Sequence, residues 1–170
     1  GGTGLSVILR GIKKLTSNIT VVVTTMDDGG GSGVLREDLG MLPPGDIRSC
    51  ILALADTEED MQELFQYRFK EGRLTGQSFG NLFIAALTGV YESFEKAVAK
   101  IHDVLAVKGR VIPVTAEAVT LCAELKNGVV IKGESKIAKG VLSSKSPIKR
   151  VYIDPSMAAP LDGVIPAIKD

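Results

Sequence analysis

From Gly4 onward, apolar residues recur at Leu5, Ile8, Leu9, Ile12 and Leu15, the three-four spacing of a helix with one buried face. The period then changes. Ile19 to Thr25 is a β-branched run of strand length, and its continuous apolarity suits a parallel strand covered on both faces. It is closed by the turn-like stretch Asp27-Asp28-Gly29-Gly30-Gly31-Ser32-Gly33. Pro43-Pro44-Gly45 breaks the chain again, and Asp46 stands where it would cap a helix over 47–55 with Ile47, Cys50, Ile51 and Leu54 on one side. Thr57 and Asp60 resemble a capping pair for a next helix, whose stripe is Met61, Leu64, Phe65 and Phe69 up to Gly72. Similar stripes predict helices over 78–91 (Phe79, Leu82, Phe83, Leu87) and 93–107 (Phe94, Val98, Ile101, Leu105).

After Gly109 the pattern turns to short strands at 111–114, 120–124 and 129–131. The last two are joined by Lys126-Asn127-Gly128, a hairpin signal. A strand over 150–154 leads through a proline turn to a helix start near Leu161. Without repeats or a low-complexity linker, the reading is one α/β domain over 1–170 with a helical insert and an antiparallel hairpin. The chain opens on a glycine cluster with no Met and no preceding strand, and a helical pattern is still running at Lys169-Asp170. The expectation is therefore an internal fragment lacking its first strand and C-terminal part. With that strand restored, Gly1-Gly2-Thr3-Gly4 would sit at the first turn of a βαβ unit.

Composition narrows the class. The 170 residues are 45% apolar and 24% charged, which excludes a disordered tail. No uncharged apolar run reaches the roughly eighteen residues of a membrane span. Twenty basic residues balance twenty acidic ones, so no overall charge draws the chain to nucleic acid or an anionic membrane. Cys50 and Cys122 have no CxxC spacing and no neighbouring histidine, which argues against a disulfide framework and a zinc site. With no signal peptide visible, the expected compartment is the cytoplasm.

Gly2, Thr3 and Gly4 at a helix start would let backbone N–H groups approach a phosphate, with the Thr3 hydroxyl adding a hydrogen bond; a tight turn between helix and strand is the other reading. Asp27 and Asp28 end the second strand. There they would accept from a ribose hydroxyl, hold a divalent ion such as Mg²⁺, or simply make a turn. Four glycines in Gly29 to Gly33 exceed what a plain turn requires. They favour an N–H nest for an anion, with Ser32 donating and Arg36 as counter-charge. Asp46 reads as an N-cap and Arg48 as surface charge, unless the elbow before them faces the same cleft. Ser78 reads as a cap, with Gln77 and Asn81 able to hydrogen-bond a base or sugar. His102, the only histidine, reads as part of a solvated face, and neither cysteine has a base partner in sequence. A Ser/His/Asp or Cys/His nucleophile is thereby excluded, leaving carboxylate, metal or binding chemistry.

Taken in order, GGTGLSVILRGIK, TTMDDGGGSGVLRE, LGMLPPGDIRSCILALAD, FQYRFKEG, GQSFGNLFIAAL, GRVIPVT and GESKI resemble the bacterial gluconeogenesis factor family of UDP-sugar-binding regulators, which is related to 2-phospho-L-lactate transferase. The resemblance spans essentially the whole chain, and DDGGxSGxLR followed by LPPGDIR is its specific part. It implies a Rossmann-like, doubly wound and mainly parallel sheet. It also implies a nucleotide diphosphate site around Gly2, Thr3 and Gly4 with a second lip of Asp27, Asp28 and Ser32, and Asp46, Arg48 and Asn81 match its other motifs. The implied ligand is a UDP-sugar of the UDP-N-acetylglucosamine type, bound by a regulator of cell-wall synthesis and cell shape during gluconeogenic growth. A transferase of a phosphate-linked group from a nucleotide donor is the rival, and a purely structural module is a third class. Where the transferase branch has a tryptophan and an SPDxD segment, this chain has Gly29-Gly30-Gly31 and PPGD, which counts against deazaflavin binding. Gln77 replaces the histidine of the regulators' GHS. The hairpin edge near Asn127 offers a surface for a homodimer.

Overall fold

A computed structural model describes residues 2–57 and 59–169. The elements run α1 (Gly2–Ile12), β1 (Thr20–Val23), α2 (Gly30–Leu39), α3 (Gly45–Leu54), α4 (Glu59–Gln66), α5 (Phe79–Tyr91), α6 (Phe94–Val104), β2 (Arg110–Pro113), β3 (Thr120–Leu125), β4 (Val130–Lys132), α7 (Glu134–Ser144), β5 (Ile148–Asp154) and α8 (Val164–Lys169). The α/β class holds. Among the described residues the parallel part is one pair, β1 beside β2 from Thr20↔Arg110 to Val23↔Pro113. The larger sheet is antiparallel in the order β4-β3-β5, so β5 extends the expected hairpin.

The core is built on α3, whose Ile47, Cys50, Ile51, Leu52, Ala53 and Leu54 are all buried, leaving the helix almost no solvent face. Packed with it are Leu9 of α1, Val21 and Val23 of β1, Phe65 of α4, Ile84 of α5, and Val98 and Ile101 of α6. Phe65 meets Phe79 and Phe83 edge-to-face at centroid distances of 5.6 and 5.0 Å, which ties α4 to α5. Cys122, Ala123 and Leu125 of β3 are buried outside this cluster. No helix among the described residues is long and apolar enough to cross a membrane.

Five expectations are corrected. The turn expected after Asp28 is short: Gly29 is the N-cap and Gly30, at φ +50°, a backbone conformation that glycine tolerates, opens α2, so Gly31, Ser32 and Gly33 are helical. The face that α1 buries is Gly2, Ser6 and Leu9, whereas Ile8, Ile12 and Leu15 are exposed, since Gly2 lets the helix approach α3 closely on that side. Met61 and Leu64 are likewise exposed, and α4 ends at Gln66, after which Arg68 bridges to Ser78. Thr57 Oγ1 is buried and has no partner among the described residues, so the expected capping bond to this helix does not form. α7, over a stretch to which the sequence pattern assigned no element, has no fully buried residue. Asp46 caps a different helix from the expected one: it lies in the first turn of α3 and its side chain accepts from Gly2 N–H of α1.

Candidate functional site

Three helix starts converge beyond the end of β1: Gly2 of α1, Gly30 of α2 and Gly45 of α3. Between them lie two adjoining chambers that share Asp27 and Asp46. Asp27 Oδ1 accepts from Gly29 N–H at 2.9 Å, fixing the entry to α2. Gly45 leaves room for its neighbours: a Cβ there would overlap Ser32 Oγ and stand 3.0 Å from Asp27 Oδ2, so those side chains would have to shift. Ser32 in turn accepts from Asn81 Nδ2 at 3.4 Å, and Asn81 is placed by its own N–H, which donates to the Ser78 cap at 3.3 Å. Asn81 is only 3% exposed and its Oδ1 has no partner.

The chamber of about 170 Å³ on this side is also walled by Arg48 and Arg68. Arg48 reaches Phe65 O at a marginal 3.5 Å and leaves a buried Nε unpaired. Burial first, then the positive charge of Arg68, holds its guanidinium below the usual arginine range. Gly80 makes room for its stem, because a Cβ there would stand 2.7 Å from Arg48 Cδ and 2.6 Å from Phe65 O.

The second chamber, of about 400 Å³, has the opposite character: Gly2, Thr3 and Gly4 face the carboxylates of Asp27, Asp46 and Glu134. Gly2 N–H already donates to Asp46 Oδ1 at 2.7 Å. Partial burial first, then the like charges of Asp27, Asp46 and Asp28, pushes the Glu134 carboxyl above the usual carboxylate range, although the residue as a whole is exposed. Glu134 and Arg68 were not singled out from the sequence as site residues. Their signals were present only as the Glu of GESKI and the Arg of FQYRFKEG, with nothing in pattern or spacing to join them to distant glycines.

The structure therefore brings together Gly2, Thr3, Gly4, Asp27, Ser32, Asp46, Arg48 and Asn81. It separates Asp28 and Arg36 from them. Asp28 Oδ1 accepts from Ser135 N–H at 2.7 Å at the start of α7, and Arg36 donates to Val119 O and Thr120 Oγ1, tying α2 to β3. Gly1 lies outside the described residues. As a test of Mg²⁺ fit, Asp27 and Asp28 engage different helices and do not make a joint ligand pair. Among the described residues no group of three or more His, Cys, Asp or Glu gathers to hold a metal. Of the two, Asp27 lines both chambers and Asp28 neither. Cys50 is no nucleophile, since burial first and the charge of Asp46 second push its thiol up to about 11. His102 is not on a solvated face. Its Nδ1 donates to Val98 O at 2.7 Å and its Nε2 accepts from Val111 N–H at 2.9 Å, joining α6 to β2.

Comparison with known proteins gives the family of the chain. The family model described as 2-phospho-L-lactate transferase CofD matches residues 1–170. The chain is 46% identical over 171 residues to the gluconeogenesis factor of Bacillus subtilis, covering all of this chain and 53% of that protein. It is 61% identical over 170 residues to a protein of Thermoanaerobacterium thermosulfurigenes whose name gives the same factor provisionally, again covering 53% of the relative. A crystal structure of a UPF0052 family member from Bacillus halodurans matches with a TM-score of 0.93 at 42% identity, covering 99% of this chain and 53% of that one. The chain thus spans about half the length of these relatives.

Proposed function

The chain belongs to the 2-phospho-L-lactate transferase CofD family, and on that premise we propose that it forms the nucleotide-sugar-binding part of a cytoplasmic regulatory protein. The ligand is a UDP-sugar of the UDP-N-acetylglucosamine type, and the protein supports cell-wall synthesis and cell shape during gluconeogenic growth. Relatives named for gluconeogenesis support the physiological setting. The observation that carries the ligand class is the pair of chambers, one walled by Arg48 and Arg68 and the other by three carboxylates, joined through Asp27 and Asp46. Such a cleft suits a molecule with an anionic part and a hydroxyl-rich part.

Binding without turnover is favoured because neither chamber is lined by histidine and the nearby thiol of Cys50 is held protonated. The second reading, transfer of a phosphate-linked group from a nucleotide donor, rests on the family's description. In it, Mg²⁺ beside Asp27 would supply neutralisation of developing phosphate charge. Calorimetric titration of the full-length protein with UDP-N-acetylglucosamine, with and without Mg²⁺, separates them. Saturable heat with no further slow heat release is expected. Continuing heat that depends on Mg²⁺ would move the assignment to the transferase, and the absence of both heat and a thermal shift would remove the UDP-sugar.

A further inference from the structure

The sequence alone points to Gly2-Thr3-Gly4 as the phosphate cradle, but the charges around it run the other way. That end of the cleft is walled by Asp27, Asp46 and Glu134, and the first N–H of α1 is already taken by a carboxylate oxygen of Asp46. A phosphate entering there would meet three like charges and one donor fewer. The smaller chamber shares Asp27 and Asp46 but lacks Glu134, and it alone of the two sets cations against them. Two guanidinium groups wall it, and among the described residues neither pairs with an acid; the ion pairs are Lys100–Asp103, Lys108–Asp56, Lys132–Asp154, Lys149–Glu124 and Arg150–Glu124. The N-terminal turn of α2 opens into it with Gly29, Gly30 and Gly31, which have no side chains to obstruct approach to the backbone. Buried Asn81 lines it with Nδ2 donating to Ser32 Oγ and Oδ1 unpartnered, so Oδ1 is left to accept from a hydroxyl of the ligand, while the unpartnered Nε of Arg48 is a donor free for the anion.

We propose that the chamber formed by Arg48, Arg68, Ser32, Asn81 and the start of α2 binds the diphosphate of the nucleotide-sugar, and that the Gly2-Thr3-Gly4 end, with Asp27, Asp46 and Glu134, binds its hydroxyl-bearing part. This deepens the nucleotide-sugar reading and rests on it. Arg68 is the new residue. It is solvent-exposed on the segment after α4, where one guanidinium nitrogen donates to Gly76 O, so its backbone-anchored side chain leaves further N–H groups for an anion. Paired with Arg48, it presents the forked donors that match phosphate oxygens. At the other end, ionised carboxylates accept from sugar hydroxyls, which is what three carboxylates around one chamber can do without a counter-ion.

The test is calorimetric titration of the full-length protein with inorganic pyrophosphate and, separately, with UDP-N-acetylglucosamine. Arg68→Gln is expected to weaken both by about tenfold or more, the scale of one lost charge-assisted hydrogen bond, while Arg68→Lys keeps within roughly threefold of the native protein. Glu134→Gln is expected to separate the two probes, weakening the UDP-sugar by about fivefold and tightening pyrophosphate by about twofold as a repelling charge is removed. Because Arg68 is exposed, its variants test binding rather than folding, and unchanged melting temperatures check this. Pyrophosphate binding lost on Arg68→Gln without any UDP-sugar binding by the native protein would overturn the ligand reading and keep the anion assignment. UDP-sugar binding that is indifferent to Arg68→Gln would keep the ligand reading and overturn the assignment. Failure of the native protein to bind pyrophosphate, or a loss caused by Thr3→Val in place of Arg68→Gln, overturns it too.

Discussion

Gly45 and Gly89 are both helical glycines, yet the space around them assigns them opposite roles. A methyl group on Gly45 would collide with Ser32 Oγ and crowd Asp27, whereas one on Gly89 of α5 would meet nothing within 4 Å. Gly45→Ala should therefore cost about 1–3 kcal/mol from overpacking and weaken ligand binding, while Gly89→Ala should gain about 0.5–1 kcal/mol from helix propensity. Urea unfolding of the two variants checks the contrast. Glu134 yields a pH dependence whose sign follows from its raised pKa. The folded state holds the proton more tightly than the unfolded one, so the stability from the protonated group is full below the ordinary carboxylate pKa and is lost as pH rises through the folded value. Glu134→Gln, which resembles the protonated form, should be more stable than the native protein near neutrality, with the gap closing below about pH 4. A gap that instead widened on acidification would reverse the sign. At this scale the sequence was informative where a residue type has few uses, as with Ser32, Arg48 and Asn81. It was silent where charge is common, as with Arg68 and Glu134, because only the folded chain sets them against Asp27.

Helix signals were legible when both a cap and a buried stripe were present. Ser78 and Ser93 accept from Asn81 N–H and Lys96 N–H at the starts of α5 and α6, and those helices lie where the pattern placed them. α7 has no fully buried residue and α2 begins in glycines, so neither carries the period that burial imposes. Caps matter here beyond helix stability. Ser78→Ala should cost about 1 kcal/mol and also loosen Asn81, which lines the candidate anion chamber, so its effect on ligand affinity should exceed that of Ser93→Ala. Calorimetry on the two variants checks it. His102 links elements in a way no periodicity encodes, since Val111 lies beyond the end of α6. His102→Ala leaves Val111 N–H unpaired and should destabilise by about 1–3 kcal/mol, measured by thermal melting.

For the whole molecule, the α/β class and the antiparallel hairpin were readable from alternating strand and helix periods. The extent of pairing was not, because partner choice among short strands depends on tertiary contacts: β5 joins β3 through Thr120↔Asp154 and Cys122↔Tyr152 across a long intervening segment. The cleft arises at the same scale, from three helix starts brought beyond one strand, and it sets both of its arginines in one chamber and none in the other, a separation that no linear motif displays. The account stands or falls on whether that cleft holds an intact nucleotide-sugar. A ³¹P NMR titration of the full-length protein into UDP-N-acetylglucosamine with Mg²⁺, followed over hours, reads binding and turnover together. The account predicts saturable shifts and broadening of both phosphorus resonances, with the free ligand's spectrum regained unchanged after the protein is removed. Unperturbed resonances, or their replacement by those of a cleaved nucleotide, would contradict it.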